Sequence, residues 1–133
     1  MKVFVDTSAF FALLTGSDRR HGEAARIWAG LIEAGAEMET HNYVVVETVA
    51  LVQRRLGAKA TAAFFDAILG VVRIHWIDED IHRRAEGAFR MAGRKTLSLV
   101  DCTSFEIMRG RSIGTAFAFD AHFEENGFAV LKP

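Results

Sequence analysis

Five short runs rich in apolar residues recur along the chain: KVFV, AEMET, VVRIHWI, TAFAF and FAVL. Stretches with helical spacing separate them. That alternation is the strongest constraint on the fold, because strands joined through helices line up in parallel, with helices covering both faces of the sheet. After the first run, Lys2–Val5, and a small-residue turn, Ala24, Ile27, Trp28 and Leu31 share one helical face, and Gly35 stands where a C-terminal cap belongs. The stretch YVVVETVALVQRRLG is rich in valine, which favours strand, but Val45, Val49, Val52 and Leu56 lie on one helical face. Asn42 can cap its start and Gly57 can end it, so a helix is expected. Another helix is read from AKATAAFFDAILG, with Ala60, Ala63, Phe64, Ala67 and Ile68 as its stripe. Asp78 or Asp80 opens a further helix that turns Ile81, Ala85, Ala88 and Ala92 inward, and SLVDCTSFEIM forms the last long one. Trp28 and Trp76 both fall in core-like patterns.

At 133 residues the chain is expected to form one domain, residues 1–133, able to bury a core without staples. Half its residues are hydrophobic and 25 % are charged, a globular and not a disordered balance. The single cysteine, Cys102, cannot form an internal disulfide, and no signal peptide is visible; a cytoplasmic protein is expected. Asp6 breaks the apolar N-terminal run, which is too short to span a bilayer, so no membrane association is expected. The net charge of −1 excludes a global basic field. Paired cations such as Arg54 and Arg55, or Arg94 and Lys95, read first as solvated helix faces and helix ends, and second as phosphate contacts around a site.

The acids are less ordinary. In an open parallel sheet, sites form beyond the carboxyl ends of the strands, at the switch in strand order. Asp6 ends the first run and Asp120 the fourth, so the two converge if those strands are neighbours. Glu47 interrupts an apolar stretch, either at the solvent edge of its helix or aimed at a site. Asp101 lies in the first turn of its helix, where Ser98-x-x-Asp101 fits a capping box; Ser104 shares its helical face. Gathered carboxylates repel and raise one another's pKa, and a hard divalent cation such as Mg²⁺ or Mn²⁺ relieves the repulsion. No Cys/His spacing points to zinc. Of the five scattered histidines, His122 stands nearest an acid, two residues after Asp120. A phosphatase of the haloacid-dehalogenase type needs an acid where Ser8 stands, and neither a phosphate-binding loop, GxGxxG nor Gly-x-Ser-x-Gly is present.

Four blocks in order, VFVDTSAF, YVVVETVALVQRRLG, LSLVDCTSF and AFAFDAHF…GF, resemble the PIN-domain ribonucleases, in particular the VapC-type toxins of toxin–antitoxin pairs. The resemblance spans Lys2 to Leu131. It implies a parallel five-stranded sheet in the order 3-2-1-4-5 flanked by helices. It also implies a cytoplasmic endoribonuclease that uses Mg²⁺ or Mn²⁺ to hydrolyse phosphodiester bonds of tRNA, rRNA or mRNA, leaving a 5′-phosphate and a 3′-hydroxyl. The family's four acids match Asp6, Glu47, Asp101 and Asp120, with Asp6 and Asp101 the first choice for direct metal ligands. Ser8, Ser98 and Ser104 match supporting hydroxyl positions, and Arg94 and Lys95 are expected to touch RNA. Where many relatives carry Thr or Ser two residues before the fourth acid, this chain has Ala118, removing a hydroxyl that would orient Asp120. The family implies a homodimer and a small antitoxin that inserts an apolar segment and a basic residue beside the acidic pocket; Phe10, Phe11, Leu13 and Leu14 are expected either to line that groove or to pack in the core. The alternatives are a PIN nuclease of RNA maturation or turnover without antitoxin, and a catalytically silent binding module.

Overall fold

The computed structural model describes residues 1–133. Its centre is a five-stranded parallel sheet in the order β3-β2-β1-β4-β5. The strands are β1 (Lys2–Val5), β2 (Glu37–His41), β3 (Val72–His75), β4 (Thr115–Phe117) and β5 (Ala129–Val130). Helices α1 (Thr7–Leu14), α2 (His21–Glu33), α3 (Asn42–Leu56), α4 (Ala58–Ala63), α5 (Glu79–Ala92), α6 (Leu99–Gly110) and α7 (His122–Glu125) make the crossovers. The expected topology is therefore the observed one.

β1 is the middle strand, and its Val3, Phe4 and Val5 are fully buried. On one face of the sheet Phe4 stacks on His41 at 5.7 Å between ring centroids and meets Phe123 at 6.1 Å, which in turn meets Phe105 of α6 edge-on at 5.3 Å. Elsewhere Phe10 of α1 meets Phe64 edge-on at 5.1 Å. Truncating any of these buried rings to alanine costs about 3–5 kcal/mol.

Several local expectations are corrected. Trp76 is 75 % exposed, because β3 stops at His75 and the chain turns away before the alternating pattern can place the indole inside. Trp28 is partly buried against the core. The N-cap of α3 is His41, whose Nδ1 accepts from the Val44 N–H at 3.4 Å. Asn42 instead accepts from the Ile77 N–H at 2.7 Å and ties the end of β3 to the start of α3. α3 buries Val44, Thr48 and Val52, a stripe rotated by one residue, and leaves Val45 and Val49 partly covered. The AKATAAFFDAILG helix is broken: after α4 the chain widens into a π-helical turn over Phe64–Ile68 and tightens into a 3₁₀ turn over Leu69–Val71, burying only Phe64. α5 is capped by Asp78 and buries Ala85 alone, while Ala88 and Ala92 face solvent. Gly35 and Gly57 end α2 and α3 as expected, at φ +67° and +89°, where a side chain would be strained.

Candidate active site

The strand order reverses between β1 and β4, and the Asp6 N–H donates to the Phe117 carbonyl at 3.1 Å, so the two strands end side by side. The crevice beyond their carboxyl ends is an open cleft of about 350 Å³ lined by Asp6, Thr7, Ser8, Glu47, Leu51, Thr96, Ser98, Asp101 and Asp120. The four acids singled out from the sequence thus share one cleft. They do not share one environment: Asp6 and Asp101 are buried, Asp120 is partly buried, and Glu47 is exposed on the rim.

Each aspartate is held by the local structure that presents it. Asp6 is the N-cap of α1, its Oδ2 accepting from the Ser8 N–H at 3.1 Å and the Ser8 hydroxyl at 2.7 Å. The same hydroxyl accepts from the Phe119 N–H at 2.9 Å, which fastens the segment carrying Asp120 to the start of α1. Asp101 closes a full capping box: its N–H donates to Ser98 Oγ and its carboxylate accepts from the Ser98 N–H, both at 3.0 Å. Without the hydroxyl missing at Ala118, Asp120 is oriented by its own turn, Oδ1 accepting from the His122 N–H at 2.8 Å. Removing the cap acceptor in Ser98→Ala is expected to cost about 1 kcal/mol, read as a lower thermal midpoint.

The electrostatics match this packing. Burial, the largest influence, pushes Asp6 up to about 7; the two Ser8 hydrogen bonds oppose the shift, and the charges of Asp101 and Asp120 add to it. Asp101 is also raised, first by burial and then by Asp120, against its hydrogen bonds with Ser98 and the nearby His122. His122 was the histidine nearest an acid in the sequence, and it joins the group: ligand atoms of Asp101, Asp120 and His122 lie within 4.8 Å of one another. Its Nε2–H donates to the Thr96 carbonyl at 2.8 Å. Burial opposes its charge, but Asp120, the Thr96 carbonyl, Glu125 and Asp101 outweigh that and raise its pKa. With that nitrogen committed to Thr96, His122 suits an ion-pair role beside Asp120 at 3.8 Å better than a metal-ligand role through Nε2. The remaining donors are carboxylate oxygens in a hydroxyl-rich cleft, which fits a hard divalent cation.

Ser104 lies outside the cleft. Its hydroxyl donates to the Val100 carbonyl at 3.0 Å and accepts from His41 Nε2 at 2.8 Å, joining α6 to the end of β2. Burial drives His41 down to about 3, so the ring is neutral and the Nε2–H tautomer suits both bonds. Arg94 and Lys95 are exposed on the loop leading to Thr96, with Arg94 paired to Glu125 at 3.1 Å. Phe10 is core, whereas Phe11, Leu13 and Leu14 are partly buried. The sequence reading missed Arg20, which donates to the Phe119 carbonyl at 3.2 Å and covers the Phe119 ring at 5.1 Å. It braces the residue before Asp120 across 99 positions of chain, a separation no local pattern signals.

The family model described as PIN domain matches residues 3–129. The 23S rRNA-specific endonuclease VapC20 of Mycobacterium tuberculosis is 37 % identical over 132 residues, 98 % of each chain. Its crystal structure, described as that of a Sarcin-Ricin loop cleaving toxin, superposes with a TM-score of 0.89 over 98 % of this chain and 99 % of that one. Two more distant structures share the fold: VapBC2 from Rickettsia felis, bound to a DNA fragment from its promoter (TM-score 0.71, 10 % identity, 98 % of each chain), and FitAcB from Neisseria gonorrhoeae (TM-score 0.68, 19 % identity, 100 % of this chain and 98 % of that one). The family model covers nearly the whole chain and VapC20 is 37 % identical along it, and on that ground the chain belongs to the PIN domain family, with VapC toxins as its kin.

Proposed function

We propose that the protein is a metal-dependent endoribonuclease, the toxin of a toxin–antitoxin pair, that hydrolyses phosphodiester bonds of a folded RNA. The observation that carries the reading is the convergence of Asp6, Asp101 and Asp120 at the β1/β4 switch, with Asp6 pushed up to about 7 by burial and by the neighbouring carboxylates. Such a cluster fits Mg²⁺ or Mn²⁺, which Asp6, Asp101 and Asp120 would hold, with Glu47 exposed on the rim. A divalent cation held by these carboxylates would supply Lewis-acid chemistry, lowering the pKa of a water and polarising a phosphoryl oxygen. The chain's own residues do the rest. Ser8 and Ser98 fix the carboxylates, and Ser104 steadies the α6–β2 contact behind them. His122 stands beside Asp120 at 3.8 Å, and Arg94 and Lys95 hold phosphate at the rim. Similarity to VapC20 favours ribosomal RNA over tRNA or mRNA as the substrate. No helix is long and apolar enough to cross a membrane. The reading includes a cytoplasmic homodimer inhibited by an antitoxin whose basic residue replaces the cation among the carboxylates.

Purified, partner-free protein incubated with ribosomal RNA should cut at one or a few positions with Mg²⁺ or Mn²⁺, leaving 5′-phosphate ends. Chelator and Asp120→Asn should each abolish the cut. Failure to cut any RNA, together with no heat of metal binding by calorimetry, would move the function to a silent binding module.

A further inference from the structure

A second cleft, of about 370 Å³, opens where β3 ends, with His75, Trp76, Asp78, Arg84, Glu106 and Arg111 among its lining residues. The Trp76 indole is 75 % exposed on its rim. Behind it sits a carboxylate the sheet has no need of: Glu39, only 2 % exposed. Its Oε1 accepts from His75 Nε2–H at 2.5 Å and lies 3.8 Å from Arg111 Nε, and its Oε2 is buried without a partner. A well-packed apolar residue would serve the fold at least as well as a buried acid. What Glu39 does is fix the orientation of the His75 ring with Nε2–H inward, leaving Nδ1, which bonds to nothing in the protein, free for a hydrogen bond.

The cleft therefore offers an aromatic face, a ring nitrogen oriented from behind, two carboxylates and two guanidinium groups. Glu106 and Arg84 are paired at 3.3 Å, and Asp78 spends Oδ1 capping α5. This set matches an unstacked nucleobase with its phosphate: the π-face for Trp76, a hydrogen-bonding group on the base edge for His75 Nδ1, the phosphate for Arg111. A lining so charged is a poor match for the apolar centre of a protein–protein interface. β3 lies two strands from β1 in the sheet, roughly 10 Å at the usual strand spacing, so RNA engaged at the aspartates can reach along the same carboxyl edge.

We propose that this cleft is an RNA subsite for one unstacked base and its phosphate, separate from the cutting centre. The proposal rests on the reading of the chain as an RNA nuclease. The test uses the full chain carrying Asp120→Asn, so that a short fluorescein-labelled single-stranded oligoribonucleotide survives. In a Trp28→Phe background, Trp76 emission should be quenched as that RNA is added. Trp76→Ala should weaken binding about tenfold. Trp76→Phe should restore most of it, and Arg111→Ala should weaken binding and lower the salt slope by about one. Unchanged affinity in Trp76→Ala with no quenching overturns the subsite. So does a fall in sedimentation mass for Trp76→Ala, which would assign the surface to a second copy of the chain. The two readings separate cleanly. Wild-type protein that cuts RNA while the cleft variants bind normally removes only the subsite. Quenching by RNA that the wild type never cuts removes only the nuclease.

Discussion

Freed of metal at pH 8, Asp6→Asn should unfold at a higher temperature than the wild type, by several degrees, and should have lost RNA cleavage. In the folded protein Asp6 keeps its proton up to about pH 7, against an ordinary value of 3.8. Between those limits the folded chain binds more protons than the unfolded one, so wild-type stability falls as pH rises from about 4 to 7 and is flat above. A shift of roughly three pH units at about 1.4 kcal/mol each gives ~4 kcal/mol as the upper size of the effect. Asparagine removes that charge while its oxygen can still cap the Ser8 N–H. The gain should therefore vanish near pH 4 and be greatest at pH 8. Adding Mg²⁺ or Mn²⁺ should raise the wild-type midpoint and leave the variant nearly unmoved, because only the wild type has the full set of ionised oxygens. Loss of the ligand role proposed for Asp6 should remove several kcal/mol of transition-state stabilisation, roughly a thousandfold in rate. A variant that melts below the wild type at pH 8 without metal would show that burial and the neighbouring carboxylates do not penalise the Asp6 charge.

The opposite sign is expected for Ser8→Ala. One hydroxyl donates to Asp6 and accepts from the Phe119 N–H, so its loss strips a donor from the carboxylate and leaves a backbone donor without its partner. The expected destabilisation is about 2 kcal/mol, measurable by urea denaturation. With a donor gone, Asp6 should hold its proton to still higher pH, so divalent affinity should fall and its rise with pH should shift upward. A change under about 0.5 kcal/mol, with metal affinity intact across pH, would mean that the Ser8 bridge does not organise the site.

Both predictions turn on contacts that the sequence only half disclosed. The alternation of strands with helices, and the placing of Asp6 and Asp120 after apolar runs, could be read directly, because periodicity and parallel topology are local in origin and put strand ends together. The capping box at Ser98 and Asp101 was equally legible, since both partners lie within one turn. Glu47 was found as an oddity but not as a rim residue, because helical spacing gives the relative faces of a helix and not its rotation against the sheet. The same limit hid the one-residue turn of the α3 stripe. Trp76 was misplaced because a period of two says nothing of where a strand stops; β3 ends one residue earlier, and the indole goes to solvent.

The chain's residues alone therefore determined the fold class, the strand order once the family resemblance was seen, and the identity of the acids. Tertiary structure decided their inequality. Asp6 is forced toward neutrality by burial, Asp120 is steadied by its own turn and by His122, and Glu47 stands in water, although all four are simple carboxylates in sequence. It also supplied Arg20 behind Phe119 and Glu39 behind His75. The physical reason is the same in each case: desolvation and Coulomb energy depend on what surrounds a charge in space, and those surroundings come from segments up to 111 residues away along the chain.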